Sequence, residues 1–341
     1  MNNFWLKLPK PIIALAPMAG YNDSAFRQIC REFGADVVYS EMISVDAIIH
    51  NNQKTFRMLK HNKKEYPLVF QLFGNDPEKF KQAVKIINKK IPSYGLSPCG
   101  GSPFTRRGNS EQKIGGRVTS YDINFGCPAH KVTKTGAGAS LMDEKEKAYQ
   151  IIKAVCDNTD LPVAIKIRTR VKNTTAEEFI NKVKNLPWTT VMIHGRTLNQ
   201  GFSVEIDYAA IRKVKRLLPD KIVLANGGIT DSQSAMRLLE KTEADGLGIA
   251  RGALGNPWIF QAIKNRFETN PAPDKNIPWP ERKKIILKHA KLFLASNPDL
   301  IPLRKHLVHY FKGLKNAAEM RQQIIQVETL SELKTIISRS I

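Results

Sequence analysis

The sequence predicts an α/β fold, a (β/α)8 TIM barrel followed by a small all-α helical bundle. Three observations predict it. Eight short apolar runs alternate with amphipathic stretches between Ile12 and about Phe260, nearly every run ends in polar or otherwise special residues, and past residue 265 the patterning becomes helical only. Continuous apolar runs, rather than alternating ones, are what parallel strands covered by helices require.

In order, the runs are IIALAP (12–17), VVYSEM (37–42), PLVFQLFG (67–74), SYDINFG (120–126), PVAIKIR (162–168), TVMIHGR (190–196), IVLANGG (222–228) and ADGLGIAR (244–251). Intervening stretches such as 143–158 and 231–241 carry helical periodicity. The runs end at Pro17-Met18, Glu41, Gln71, Asn124, Lys166, His194, Asn226 and Arg251, and strand ends of this kind form the catalytic face of a barrel. A doubly wound open sheet is the competing topology. Its first strand would lead into a Gly-rich dinucleotide turn, which Ala16-Pro17-Met18-Ala19-Gly20 is not.

The barrel domain is expected over 1–265, with an insertion at about 91–118 that is rich in Gly, Ser and Pro and carries Cys99, Arg106, Arg107, Lys113 and Arg117. Because it precedes a strand, it belongs to the face away from the expected site. A Pro-rich linker follows over 266–280, with Pro271, Pro273, Pro278 and Pro280. A helical domain is expected over 281–341, with helices near 281–296, 302–313, 317–327 and 331–338.

Lys and Arg outnumber Asp and Glu by 53 to 31, a formal charge of +22, which points to a polyanionic partner. The four cysteines, Cys30, Cys99, Cys127 and Cys156, form no Cys-x-x-Cys pair and have no His at zinc-finger spacing, so neither disulfides nor a metal is expected. There is no apolar run of the ~20 residues that a membrane span needs, and the stretch 1–11 lacks the apolar core of a secretion signal. A cytoplasmic location, away from membranes, is the expectation.

The segment Asp122-Ile123-Asn124-Phe125-Gly126-Cys127-Pro128-Ala129-His130-Lys131-Val132 runs from a strand end into a Gly-Cys-Pro turn and a basic loop with Lys134, Gly136 and Gly138. It presents a thiol at the catalytic face. Near such cations Cys127 can serve as a thiolate nucleophile or, protonated, as a general acid, and a small buried residue at a turn is the third reading. A Lys inside the apolar run Val163-Ala164-Ile165-Lys166-Ile167 is poorly explained as a solvated side chain. The Gly-rich ends Asn226-Gly227-Gly228 and Ala250-Arg251-Gly252 follow the seventh and eighth runs, where barrels bind phosphate.

This segment, together with Ala16-Pro17-Met18-Ala19-Gly20, Lys166-Ile167-Arg168, His194-Gly195-Arg196 and Asn226-Gly227-Gly228, resembles the dihydrouridine synthase family. Arg304-Lys305-His306 and Tyr310-Phe311-Lys312-Gly313-Leu314 resemble that family's tRNA-binding domain, and Lys134-Thr135-Gly136-Ala137-Gly138-Ala139 resembles its bacterial B-type branch. The resemblance implies FMN at the barrel mouth, reduced by NADPH, with hydride passing to C6 of a tRNA uridine, in the D-loop for the B-type branch, and a proton from Cys127 to C5. It implies cofactor contacts from Pro17, Met18, Ala19, Gln71, Lys166, His194, Asn226, Gly227, Gly228, Ala250 and Arg251, with Lys166 as the cation beside the ring and Arg251 on the phosphate. Substrate contacts fall to Asn124, Arg168 and Arg196 in the barrel and to Arg304, Lys305 and Lys312 in the tail. The rival readings are a flavin barrel acting on a small pyrimidine, such as a dihydroorotate dehydrogenase-like enzyme, and a non-catalytic tRNA-binding factor. The insertion departs from the family pattern.

Overall fold

The computed structural model describes residues 3–91, 118–201, 203–268 and 277–339. The expected insertion, apart from Ile91 and Val118, lies outside them, as do Cys99 and 269–276 of the expected linker. All eight apolar runs are strands: Ile12–Leu15, Val37–Ser44, Leu68–Phe73, Ser120–Asn124, Val163–Arg168, Thr190–His194, Ile222–Asn226 and Gly246–Ile249. They pair in parallel in chain order, and the first closes on the last from Ile12 opposite Gly246 to Leu15 opposite Ile249. A two-stranded ribbon, Arg170–Val171 with Thr174–Thr175, follows the fifth strand.

The continuous apolar patterning arises because both faces of each strand are buried. Outward residues such as Ile13, Leu15, Val38, Phe70, Ile123, Ile165 and Ile193 join the core shared with the surrounding helices. Inward residues Ile12, Ala14, Val37, Tyr39, Val69, Met192 and Leu224 form a separate core inside the barrel. Trp5, from the short turn Phe4–Lys7, packs into that inner core and is fully buried. The eighth strand contributes glycines to the interior, and a Cβ at Gly248 would lie 2.6 Å from the Met192 sulfur. These glycines make room for large neighbours in a barrel that is filled rather than hollow.

The second strand is followed by two short helices, Val45–Ile49 and Gln53–Met58, and the last barrel helix, Ile259–Glu268, continues past residue 265. The tail begins with Trp279–Leu294, where Pro278 caps the helix and Pro280 occupies its first turn, so the last part of the expected linker is a helix start. The expected helix 302–313 is instead a broken chain of turns, Ile301–Leu303, Arg304–Leu307 and Val308–Phe311. Ala317–Ile324 and Leu330–Arg339 complete the tail. Among the described residues no helix is long and apolar enough to cross a membrane.

Barrel and tail share a core. Ala25 and Ile29 of the helix Ser24–Glu32 pack with Ile286, Ala290, Leu303, Leu307, Tyr310 and Phe311. Gly255, at φ +64, lies so close to the tail that an added Cβ would overlap the His309 backbone. Gly313 has a similar φ of +79 with open space around it. Both positions carry the left-handed penalty of a non-glycine residue, and only Gly255 adds a collision. Gly255→Ala should therefore lower stability to urea by about 1–3 kcal/mol more than Gly313→Ala. Equal losses in the two variants would show that the tail is not seated against this turn.

Candidate active site at the barrel mouth

A hydrogen-bonded chain of inward side chains leads from the barrel interior to the cysteine turn. Asp122 is fully buried and accepts from Gln71 Nε2 at 2.6 Å. Gln71 Oε1 accepts from Asn124 Nδ2 at 2.8 Å, and Asn124 Oδ1 accepts from the backbone N–H of Gly126 at 3.1 Å and of Cys127 at 2.9 Å. Asn124 thus folds the Gly-Cys-Pro turn back on its strand, as asparagine side chains do in turns. Gly138, at φ +64, lets the following loop close over Cys127, whose carbonyl accepts from the Ala139 N–H at 3.1 Å. A Cβ at Gly138 would stand 3.2 Å from Cys127 Cβ. Cys127 is left partly exposed at the mouth.

Beside the thiol stands a cluster of cations. Lys166 Nζ donates to Asn226 Oδ1 at 3.2 Å, and Asn226 Nδ2 donates to the Gly248 carbonyl at 2.7 Å. Burial, reinforced by Arg168, lowers the Lys166 ammonium to about 8 against the opposing pull of Asp122 and Cys127. Burial also lowers His194 to about 2, with further depression from Lys166, Arg168, Arg196 and Arg251, so its imidazole is neutral at physiological pH. Four cations thus converge on one neutral ring. Gly227 (φ +115) and Gly228 (φ +70) form the adjoining turn, where a Cβ at Gly227 would come within 3.4 Å of His194 Nε2 and 3.6 Å of an Arg196 guanidinium nitrogen. Ala250 and Arg251 follow the neighbouring eighth strand. Glycines and cations at the seventh and eighth strand ends make a cradle suited to an anionic group.

Pro17, Met18 and Ala19 leave the first strand at the same face, and Ala19 is exposed. Not every expected contact residue has a free side chain. The Asn124 carboxamide is committed to the turn and to Gln71. Arg168 donates to the Gly126 carbonyl at 2.7 Å and to the Thr197 carbonyl at 2.8 Å, and so ties the cysteine turn to the loop after the sixth strand. Arg196 donates to the Val204 carbonyl. In the tail, Arg304 donates to the carbonyls of Val327 at 2.7 Å and Gln326 at 2.9 Å. Lys305 and Lys312 are exposed, and Lys305 Nζ stands 5.6 Å from the centre of the Tyr21 ring, against the loop that follows the first strand.

Asp122 is the site residue that sequence reasoning left without a role. Its signal was available: a carboxylate at an inward position of a strand buried on both faces. Burial raises its carboxyl from 3.8 to about 7, against the lowering effects of the Gln71 hydrogen bond and the Lys166 charge. Among the described residues its Oδ1 and the Tyr39 hydroxyl are both buried without a hydrogen-bond partner.

The family model described as Dihydrouridine synthase (Dus) matches residues 14–93 and 111–340. A probable tRNA-dihydrouridine synthase of Helicobacter pylori is 31% identical over 331 residues, covering 96% of this chain and 90% of that protein. The tRNA-dihydrouridine synthase B of Pseudomonas aeruginosa is 31% identical over 329 residues, covering 94% and 90%. A solved structure of histamine dehydrogenase from Rhizobium sp. 4-9 aligns at a TM-score of 0.49 and 12% identity, over 82% of this chain and 49% of its own.

Because folding raises the Asp122 pKa, the folded protein retains a proton that the unfolded chain releases above its ordinary value of 3.8. The stabilisation is present in full below that value and is lost as pH rises through about 7. Urea denaturation at about pH 5 and about pH 8 should show a loss of stability at the higher pH that Asp122→Asn largely removes. An identical pH dependence in the two proteins would contradict the assignment.

Proposed function

This chain belongs to the dihydrouridine synthase family, and from that membership we infer that it is an oxidoreductase that reduces the 5,6 double bond of uridine in tRNA. FMN is its cofactor, NADPH its reductant and a D-loop uridine its target. The D-loop assignment follows the B-type relative and the 134–139 run. A cytoplasmic location accords with a tRNA substrate.

The observation that carries this reading is the placing of a partly exposed thiol beside a cation cluster at the mouth of a barrel. The donor set fits FMN. Gly227 and Gly228 leave room for backbone N–H groups to approach a phosphate, with Arg251 and Arg196 as its counter-charges. Lys166 is the fixed cation for the electron-rich edge of the ring, and Gln71 retains a second amide N–H after donating to Asp122. Neutral His194 adds a donor or acceptor without adding charge. Pro17, Met18, Ala19 and Ala250 supply backbone and apolar contact at the rim.

When bound, FMN supplies the hydride that adds at C6 of the uridine. Cys127 Sγ holds the proton that C5 requires, and a neutral thiol suits that role as general acid. Asn124 acts on the reaction by fixing the cysteine turn. Arg168 braces the same turn from the end of the neighbouring strand. Lys305, beside the first-strand loop, and Lys312 meet RNA phosphate, with Arg304 stiffening the segment that carries them.

The direct test is NADPH oxidation by the flavin-loaded protein with and without unmodified tRNA, together with dihydrouridine formation by Cys127→Ala. Oxidation should depend on tRNA. The variant should bind flavin and accept electrons from NADPH while losing about 10²-fold or more of its product formation. Full uridine reduction by Cys127→Ala would remove the thiol from the mechanism. Turnover indifferent to tRNA would favour a small-molecule substrate.

A further inference from the structure

Where the tail meets the barrel, three side chains from three separate segments converge. Asp23 caps the first barrel helix, His289 lies on Trp279–Leu294, and His306 lies on Arg304–Leu307. One ligating atom from each lies within 4.8 Å of the others, and both histidines are buried, at 0% and 1% exposure. Asp23 uses Oδ1 to accept from the Phe26 N–H at 2.9 Å, and its Oδ2 faces His306 Nε2 at 3.5 Å, too far for a sound hydrogen bond. His289 Nδ1 pairs with the Tyr310 hydroxyl at 3.0 Å. Among the described residues, His289 Nε2 and both ring nitrogens of His306 are buried without a hydrogen-bond partner.

We propose that Asp23, His289 and His306 bind a divalent transition-metal ion of the Zn2+ class that fastens the tail to the barrel. Two imidazoles and a carboxylate are a common ligand set for such ions, with water completing the tetrahedron. Donors held at ~2.0–2.2 Å from one ion lie a few ångströms apart, so small side-chain adjustments bring these three onto it. The Tyr310 hydroxyl is placed to play the part usual for a partner behind a ligating histidine: accepting from Nδ1–H, it would leave the Nε2 lone pair for the ion. A cation also suits the Asp23 carboxylate, beside which Phe26 and Tyr21 pack against His306. Lys305 adjoins His306 in the chain, so an ion here would hold a proposed RNA contact at the barrel mouth. The site is independent of the reading of the reaction.

The test is equilibrium dialysis of the chelator-treated full chain against Zn2+, with metal analysis and thermal unfolding as readouts. One equivalent of Zn2+ should be retained and should raise the Tm, and His289→Ala or His306→Ala should abolish both effects. Asp23→Asn keeps a good helix cap and should bind at least about tenfold more weakly while remaining folded. A protein that retains no Zn2+, or variants that bind as the parent does, would overturn the site and leave the histidines to bridging water or to protonated His306.

Discussion

Positive charge gathered at the barrel mouth is the constraint on which the rest depends. Lys166, Arg168, Arg196 and Arg251 all bear on His194, and Asp122 is the acid whose charge Lys166 senses from below. Like charges gathered in a partly desolvated site repel one another and raise the cost of folding. The barrel bears that cost because each cation is anchored by backbone that strand pairing has already placed. An anion in the cradle would offset that repulsion.

The geometry is transmitted through a few polar contacts. Asp122 holds Gln71, Gln71 holds Asn124, and Asn124 folds the cysteine turn. Arg168 joins that turn to the next loop but one. The thiol and the cation cluster are therefore both tied to the barrel wall. The tail packs on the barrel through the helix capped by Asp23, so Lys305 has a defined position beside the first-strand loop.

The barrel was legible in the sequence because strands buried on both faces read as largely apolar runs, and all eight runs are strands. The mouth was legible because polar residues that interrupt those runs have no other place to go. The partners of those residues were not legible. Arg168 and Arg304 bond to carbonyls of distant segments, and nothing in an arginine's neighbours reveals which carbonyl it will meet. The helix expected over 302–313 breaks into turns as its chain packs against Gly255 and the first barrel helix, a tertiary effect that overrides local periodicity. No Cys or His spacing marks Asp23, His289 and His306, which are brought together only by docking of the tail.

The measurement that bears most directly on the charge cluster is titration of the flavin-stripped protein with FMN and, separately, with riboflavin, followed by the change in flavin absorption or fluorescence. If the cations and the Gly227-Gly228 turn form a phosphate cradle, FMN should bind at least about 10²-fold more tightly than riboflavin, and Arg251→Ala should erase most of that difference. Equal affinity for the two flavins, or binding of neither, would contradict the account.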